Sequence, residues 1–305
     1  MLRTLNHKDT KTLKTIACLC VLVVSSVQAQ AQTEAESLAA VKLATNPTTK
    51  LTAAEEFIAR FPNSNARLSI AELVSAEILK VKDGAVTLAL LERANAIFTS
   101  DQEREVFKPV ALKAYATGNR PDDAFALAGE MLAKNPDDLS VLVRMTQLGT
   151  EEARKRNRRH TEVALQYGLK AITLLEADTT NKADLAQLYQ QTAILHLAAG
   201  NTDEAKSRLT KAATLAPQDP SNFALLGRVI NADYVALVNS NQQSEAILDQ
   251  IIDNYARAVA LATGRAEYQT LLQQVIPDLT VYYKQRHKGS IKGLQQLINR
   301  YKPAP

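Results

Sequence analysis

Histidines and paired carboxylates are the residues in this sequence that could perform acid–base or metal chemistry. His160, His196 and His287 lie far apart, and none has a second histidine one helical turn away or a cysteine pair beside it. Metal sites need such closely spaced ligands, so the sequence predicts no metal site and no cofactor. His196 falls on the inward face of a predicted helix, which favours a buried core residue over a functional one.

Motifs for nucleophilic or nucleotide chemistry are missing from the sequence. It contains no Gly-x-Ser-x-Gly elbow, phosphate-binding glycine-rich loop or dinucleotide fingerprint, and its ten glycines stand singly. The carboxylate pairs Glu151-Glu152 and Asp122-Asp123 are typical of solvent-facing or N-terminal helix positions. We therefore expect that the protein is not an enzyme.

Two basic clusters could bind anionic groups. Residues 154–159 read Arg-Lys-Arg-Asn-Arg-Arg, and residues 282–288 read Tyr-Tyr-Lys-Gln-Arg-His-Lys. Cations at a helix C-terminus complement its dipole, so the first cluster is expected to be a solvated helix end. A contact with an acidic partner or with anionic lipid headgroups is the alternative. The second cluster is expected to cover the end of a repeat core, with a binding edge as the alternative.

The N-terminal segment has the layout of a secretory signal peptide. Three lysines precede an apolar run over residues 16–24, and small and polar residues follow it as far as Ala29. We expect cleavage of 1–29 after Ala29, with Ala31 as the next choice. The run is shorter than the ~20 residues that span a bilayer, so no stable membrane span is expected after cleavage. An uncleaved anchor is the alternative, and the expected location is periplasmic or secreted.

The charge balance of the remaining chain excludes one class of partner. Residues 1–29 hold four of the 36 Lys and Arg and one of the 32 Asp and Glu, which leaves 32 against 31. Nucleic-acid binding needs a concentrated basic face. We therefore expect no nucleic-acid partner.

Two stretches, 104–137 and 186–220, repeat the same pattern at helical spacing. The first contains Phe107, Val110, Ala111, Ala114, Gly118, Ala124, Ala128, Met131 and Pro136. The second contains Tyr189, Thr192, Ala193, His196, Gly200, Ala205, Leu209, Ala212 and Pro217. Small residues let two helices approach closely, Gly118 and Gly200 can adopt the left-handed conformation that ends a helix, and proline stops the second helix.

This pattern resembles the tetratricopeptide repeat (TPR), a pair of antiparallel helices A and B. Its alanines Ala124, Ala164 and Ala205 are spaced by 40 and 41 residues, longer than the 34 of the standard repeat. The resemblance implies a concave groove lined by the A helices. Its partner-binding positions are Glu105, Lys108, Leu112, Gln187, Gln190 and Ile194. Gln190 and Ile194 stand where a clamp for a C-terminal carboxylate needs Lys and Asn, so no such clamp is expected.

Further helices continue the rhythm in both directions, and no run of alternating β-branched residues indicates a strand. They are expected at about 34–45, 50–60, 66–80, 84–98, 138–157, 161–176, 221–239, 243–262, 266–286 and 290–301. With the two clear pairs this makes fourteen helices. The predicted fold over 30–305 is therefore all-α, an α-solenoid of about seven stacked helix pairs.

The expected function follows from the repeats. A helical array without catalytic residues favours an exported scaffold that binds a protein or peptide partner in its groove. A solenoid that holds a small molecule, lipid or glycan fragment in the cell envelope is the alternative.

Overall fold

The computed structural model describes residues 33–177, 181–239 and 244–303. The predicted signal peptide, residues 1–29, lies outside the described residues. Within those ranges the regular structure is helical, and no residue belongs to a β-strand. The all-α prediction is therefore confirmed for the described part of the chain.

Fourteen α-helices form in these ranges. In chain order they are α1 (33–43), α2 (Pro47–Arg60), α3 (Arg67–Ile78), α4 (Gly84–Ile97), α5 (Asp101–Thr117), α6 (Pro121–Lys134), α7 (Leu139–Arg154), α8 (Thr161–Glu176), α9 (Lys182–Ala199), α10 (Thr202–Leu215), α11 (Pro220–Asn239), α12 (Glu245–Ala262), α13 (Gln269–Arg286) and α14 (Leu294–Arg300). A single 3-10 turn, Ala266–Tyr268, precedes α13. The helices follow the predicted positions, with the largest difference at α14, which begins after Gly293 in the left-handed conformation.

The described chain divides into two compact units, of which the first ends at Leu127 and the second begins at Ala128. In the first unit, α3 packs against α2, and both α3 and α4 pack against α5. In the second unit, α7 pairs with α8, α9 with α10 and α11 with α12, and each pair packs against the helix that follows it. The first helices of successive pairs also touch, α7 with α9 and α11 with α13. Consecutive helix pairs stacked in this way form the α-solenoid that the repeats predict.

Close helix contacts in the second unit depend on small residues, as predicted for Ala164, Gly168 and Ala171. Ala164 and Ala171 are fully buried. A methyl group on Gly168 would lie 2.6 Å from Cγ2 of Thr192 and 2.8 Å from Cγ2 of Thr146. Glycine is therefore required where α8 crosses between α7 and α9, since carbon atoms in contact are about 3.5–4.0 Å apart.

The two repeat turns use different residues to end helix A. Gly200 has φ +88°, and the amide of Asn201 donates to the carbonyl of His196 at 2.8 Å. In the first repeat the left-handed residue is Asn119, with φ 57°, whereas Gly118 has φ −88°. The prediction for Gly118 was therefore wrong by one position. Asparagine also tolerates the left-handed conformation, so the chain reverses one residue after Gly118, the residue that caps α5, which accounts for the extra residue in this turn.

Candidate partner-binding face

The six predicted binding residues divide between the two units. Glu105, Lys108 and Leu112 lie on α5 in the first unit, and Gln187, Gln190 and Ile194 lie on α9 in the second. Both are A helices of the predicted repeats.

On α5, two of the three side chains reach the surface. Glu105 is exposed and forms an ion pair of 2.9 Å with Lys108. Lys108 also lines a groove of about 360 Å³ between α4 and α5. Leu112 is only 2 % exposed, so its side chain belongs to the core. The surface that α5 offers to a partner is therefore formed by Glu105, Lys108 and the groove beside them.

On α9, Gln187 is exposed and Gln190 is half-buried. The Gln190 amide nitrogen donates to Oδ1 of Asn222 on α11 at 2.9 Å, and Asn222 itself is buried. Ile194 is 9 % exposed and lies below this polar surface. Gln187 and Gln190 are thus presented on the side of α9 that borders α11.

Three further hydrogen bonds between side chains join α11 to α13. Arg228 donates to Oε1 of Gln274 at 2.6 Å, and the hydroxyl of Tyr282 donates to Oδ1 of Asn231 at 2.6 Å. The amide of Gln285 donates to the hydroxyl of Tyr234 at 2.8 Å. We call the surface formed by Gln187, Gln190, Arg228, Asn231, Gln274, Tyr282 and Gln285 the first-helix face.

The sequence prediction missed the α11 and α13 part of this face. The two clear repeats gave positions on α5 and α9 only, because residues beyond Pro220 lack the repeat pattern. A signal was present in the spacing, since Gln274, Tyr282 and Gln285 on α13 recur at intervals of eight and three residues, which places them on one side of a helix. Polar residues at helical spacing would have identified this surface.

The chemistry of the first-helix face is that of amides and hydroxyls. Burial raises the pKa of the Tyr282 hydroxyl, which therefore stays protonated and donates to Asn231. Asn and Gln side chains offer both donors and acceptors, as a peptide backbone does. Such a face can form hydrogen bonds with the backbone of an extended peptide, and the peptide need not be charged.

The core beneath this face contains a buried histidine. His196 is 7 % exposed, which confirms the prediction of a core residue, and neither ring nitrogen has a hydrogen-bond partner among the described residues. Burial lowers its pKa, as does the positive charge of Arg208, while Glu204 and Glu162 act in the opposite direction. The imidazole is therefore held in its neutral form.

This histidine should make the stability of the second unit depend on pH. The folded pKa lies below the ordinary value of about 6.5, so the unfolded chain binds the proton more readily. We expect the free energy of unfolding to fall as the pH is lowered from 7 to 5, by at most about 1.4 kcal/mol per pH unit for one proton. Urea unfolding at several pH values measures this loss.

Replacing His196 by phenylalanine should remove most of that pH dependence. A His287→Gln variant is the matched control, because it removes a histidine that lies exposed in the same unit. If the His196 variant loses as much stability on acidification as the parent, the buried imidazole is not the cause.

The basic cluster 154–159 begins at the last residue of α7 and continues into the connection to α8. It is exposed, as expected, but Glu152 is buried, contrary to the prediction of a solvent-facing carboxylate. The Glu152 carboxylate accepts hydrogen bonds of 2.8 Å from both Lys155 and Asn157. The hydrogen bond from Lys155 is the main reason why its pKa is lowered, and burial opposes the shift. Glu152 therefore holds the connection against the end of α7 through its hydrogen bonds with Lys155 and Asn157.

Comparison with known proteins adds no family to this picture. A scan against protein-family models finds no match, and a search among curated proteins finds no significant relative. Within the described ranges, no helix is long and apolar enough to cross a membrane, and no group of three or more His, Cys, Asp or Glu side chains could hold a metal ion. The fold defines the chain's class as an all-α, solenoid-type helical repeat protein.

Proposed function

We propose that this chain is an exported scaffold of the TPR type that binds a protein or peptide along its first-helix face. The main support is the row of amide and hydroxyl side chains that continues from α9 over α11 to α13. In stacked helix pairs the first helices line the concave surface, where extended peptides and helices bind. The two repeats at 104–137 and 186–220 support the TPR assignment.

Export is the part of the proposal that depends on residues 1–29. Their charge and hydropathy pattern supports a cleaved signal peptide. N-terminal sequencing of the protein recovered from the periplasm or medium tests it, with Gln30 expected as the first residue. Recovery from the cytoplasm with Met1 intact would exclude export.

The tyrosines give little support to a small-molecule ligand. Tyr282 and Tyr234 use their hydroxyls in hydrogen bonds to Asn231 and Gln285, and the hydroxyl of Tyr283 donates to the carbonyl of Lys292 at 2.9 Å. The phenolic groups therefore join helices to one another. A protein or peptide partner remains the function that the face supports best.

Two exposed glutamines on first helices should be needed to capture the partner. Replacing Gln187 and Gln274 by alanine removes two amides from the face, each contributing about 1 kcal/mol, and together they should weaken binding by about tenfold or more. The measurement is crosslinking in cells with the tagged protein, followed by pull-down and mass spectrometry.

The matched control replaces Gln166 on α8 and Gln250 on α12 by alanine. Both are exposed glutamines in the same unit but lie on second helices. A partner captured by the parent and the control, and lost with the Gln187 and Gln274 variant, supports the proposal. Equal capture by all three proteins would exclude the first-helix face, and a copurifying small molecule in native mass spectrometry would favour the alternative ligand class.

A further inference from the structure

The C-terminal part of the second unit contains an apolar groove. It has a volume of about 380 Å³ and is lined by residues of α12, α13 and α14 and of the segments that flank α14. Leu279 and Ile298 form its buried floor. Ile276 and Ile291 stand at its sides and are 46 % and 56 % exposed. Large aliphatic side chains are therefore left in water around a recessed apolar surface.

The groove lies beside α14, a short helix that packs against α12. Second helices α8, α10 and α12 have 16, 14 and 18 residues, whereas α14 has seven. At 1.5 Å per residue, the 18-residue α13 is about 27 Å long and α14 only about 10 Å. Part of α13 thus lacks the packed helix that every earlier first helix of this unit has.

The chain that follows Asp278, which includes α14 and the segments beside it, carries charge of one sign. From Leu279 to Pro305 the sequence contains six Lys and Arg and no Asp or Glu. Arg286 pairs with Asp249 and Glu245 of α12. The other five are exposed and form no ion pair with any carboxylate of the described residues: Lys284, Lys288, Lys292, Arg300 and Lys302. Lys302 lines the groove itself, and Lys292 follows Ile291.

We propose that this groove binds an acidic amphipathic helix of a partner protein. The apolar ridge of such a helix would fill the recess beside α13, in the way that one helix packs its ridge into the groove of another. Its carboxylates, one turn apart, would then face Lys302, Lys292 and the neighbouring cations. The short α14 leaves room for a further helix beside α13, and the unpaired cations favour a helix that carries carboxylates. Both features therefore point to an acidic amphipathic helix.

Two other occupants fit less well. A second copy of the chain would bring the same cations against one another, which costs free energy in a self-complementary contact. An anionic bilayer would attract the cations but is a broad surface, whereas Leu279 and Ile298 lie at the floor of a recess that only a protruding ridge reaches. Both occupants are outcomes of the experiment below.

The test uses the purified full-length chain and three fluorescent 18-residue peptides with one leucine stripe at helical spacing. Their polar faces carry Glu, Gln or Lys, and a scrambled form of the Glu peptide controls for composition. Fluorescence anisotropy should rank the affinities Glu above Gln above Lys, with the Glu peptide weakened by salt because the charges are exposed. No preference for the Glu peptide over its scrambled or Lys forms would overturn the proposal.

Variants then locate the binding surface. Ile276→Ser with Ile291→Ser should weaken the Glu peptide about tenfold or more, since it removes two apolar contacts from side chains that are already partly exposed and so should leave folding intact. Val281→Ser, which is 61 % exposed on α13 outside the groove, is the matched control and should stay within about twofold of the parent. Equal binding by all three proteins would exclude the groove.

Two further measurements separate this occupant from the others. Binding to vesicles of anionic phospholipid that exceeds peptide binding and depends on Ile276 and Ile291 would assign the surface to a membrane instead. Self-association in analytical ultracentrifugation that the same variant abolishes would assign it to a second copy. The Gln187 and Gln274 variant must leave peptide binding unchanged, which distinguishes this groove from the first-helix face.

Discussion

Replacing Glu103 by alanine is expected to lower the free energy of unfolding of the first unit by about 3 kcal/mol. Its carboxylate is buried and receives Nε of Arg67 at 2.8 Å and the backbone amide of Ser100 at 3.0 Å. Arg67 also donates to the carbonyl of Ile97 at 2.9 Å. Removing the carboxylate leaves a partly buried guanidinium and a helix-capping amide without their acceptor, which is the costly way to break an ion pair.

The same pair should appear as a coupling between the two residues. Burial alone would raise the pKa of Glu103, but the hydrogen bonds from Arg67 and Ser100 lower it overall. The stabilisation is therefore present above the ordinary glutamate pKa of about 4.3 and is lost as the pH falls below it. The free energies of unfolding of Glu103→Ala, Arg67→Ala and the double variant can be measured in urea. The loss in the double variant should be smaller than the sum of the losses in the two single variants.

A surface pair in the same unit provides the comparison. Arg93 and Glu55 approach to 2.8 Å, but both side chains are about one-third exposed. Glu55→Ala should therefore cost no more than about 1 kcal/mol. Hydrogen exchange with mass spectrometry assigns the loss to α3 and α5, which matters because a two-unit chain need not unfold in one step. A loss from Glu103→Ala as small as that from Glu55→Ala would contradict the structural role of the pair.

The helices could be predicted from local sequence, and the reasons are visible at particular residues. Proline or glycine lies beside many helix ends, such as Pro121 and Pro136 at α6 and Gly200 after α9, and apolar spacing defines the buried face of amphipathic helices such as α7. Two prolines are also informative: Pro109 and Pro277 lie inside α5 and α13 without ending them. Both stand on exposed sides, where water can donate hydrogen bonds to the carbonyls one turn earlier that lack an amide donor.

The side-chain environment could be predicted only in part, because it depends on residues distant in sequence. Leu112 and Ile194 occupy positions that face the groove in the family pattern, yet neighbouring residues cover both. Glu152 is buried because the connection after α7 folds back over it, which its charge alone does not indicate. Arg67 and Glu103 are 36 residues apart and meet only because α3 packs against α5.

Replacing Gly227 by alanine is expected to destabilise the second unit by about 2 kcal/mol. Gly227 lies within α11, and a methyl group there would stand 2.4 Å from Cε1 and 2.6 Å from Cδ1 of Tyr255. The Tyr255 ring is buried and packs against Tyr282 with 6.2 Å between ring centroids, so moving it away from the methyl group would disturb this packing. The clash should outweigh the gain of about 1 kcal/mol that alanine brings to a helix interior.

Gly129→Ala is the control for that gain, because nothing lies within 4 Å of a methyl group at this position of α6. It should leave stability unchanged or raise it by up to about 1 kcal/mol. Adding Tyr255→Leu to Gly227→Ala should recover part of the loss by removing the ring. A Gly227→Ala protein as stable as the parent would show that the Tyr255 ring can move away from the methyl group.

Gly227→Ala should also weaken partner capture at the first-helix face, because Tyr282 lies between Tyr255 and the acceptor Asn231. Unchanged capture would show that packing around Tyr255 does not affect this face.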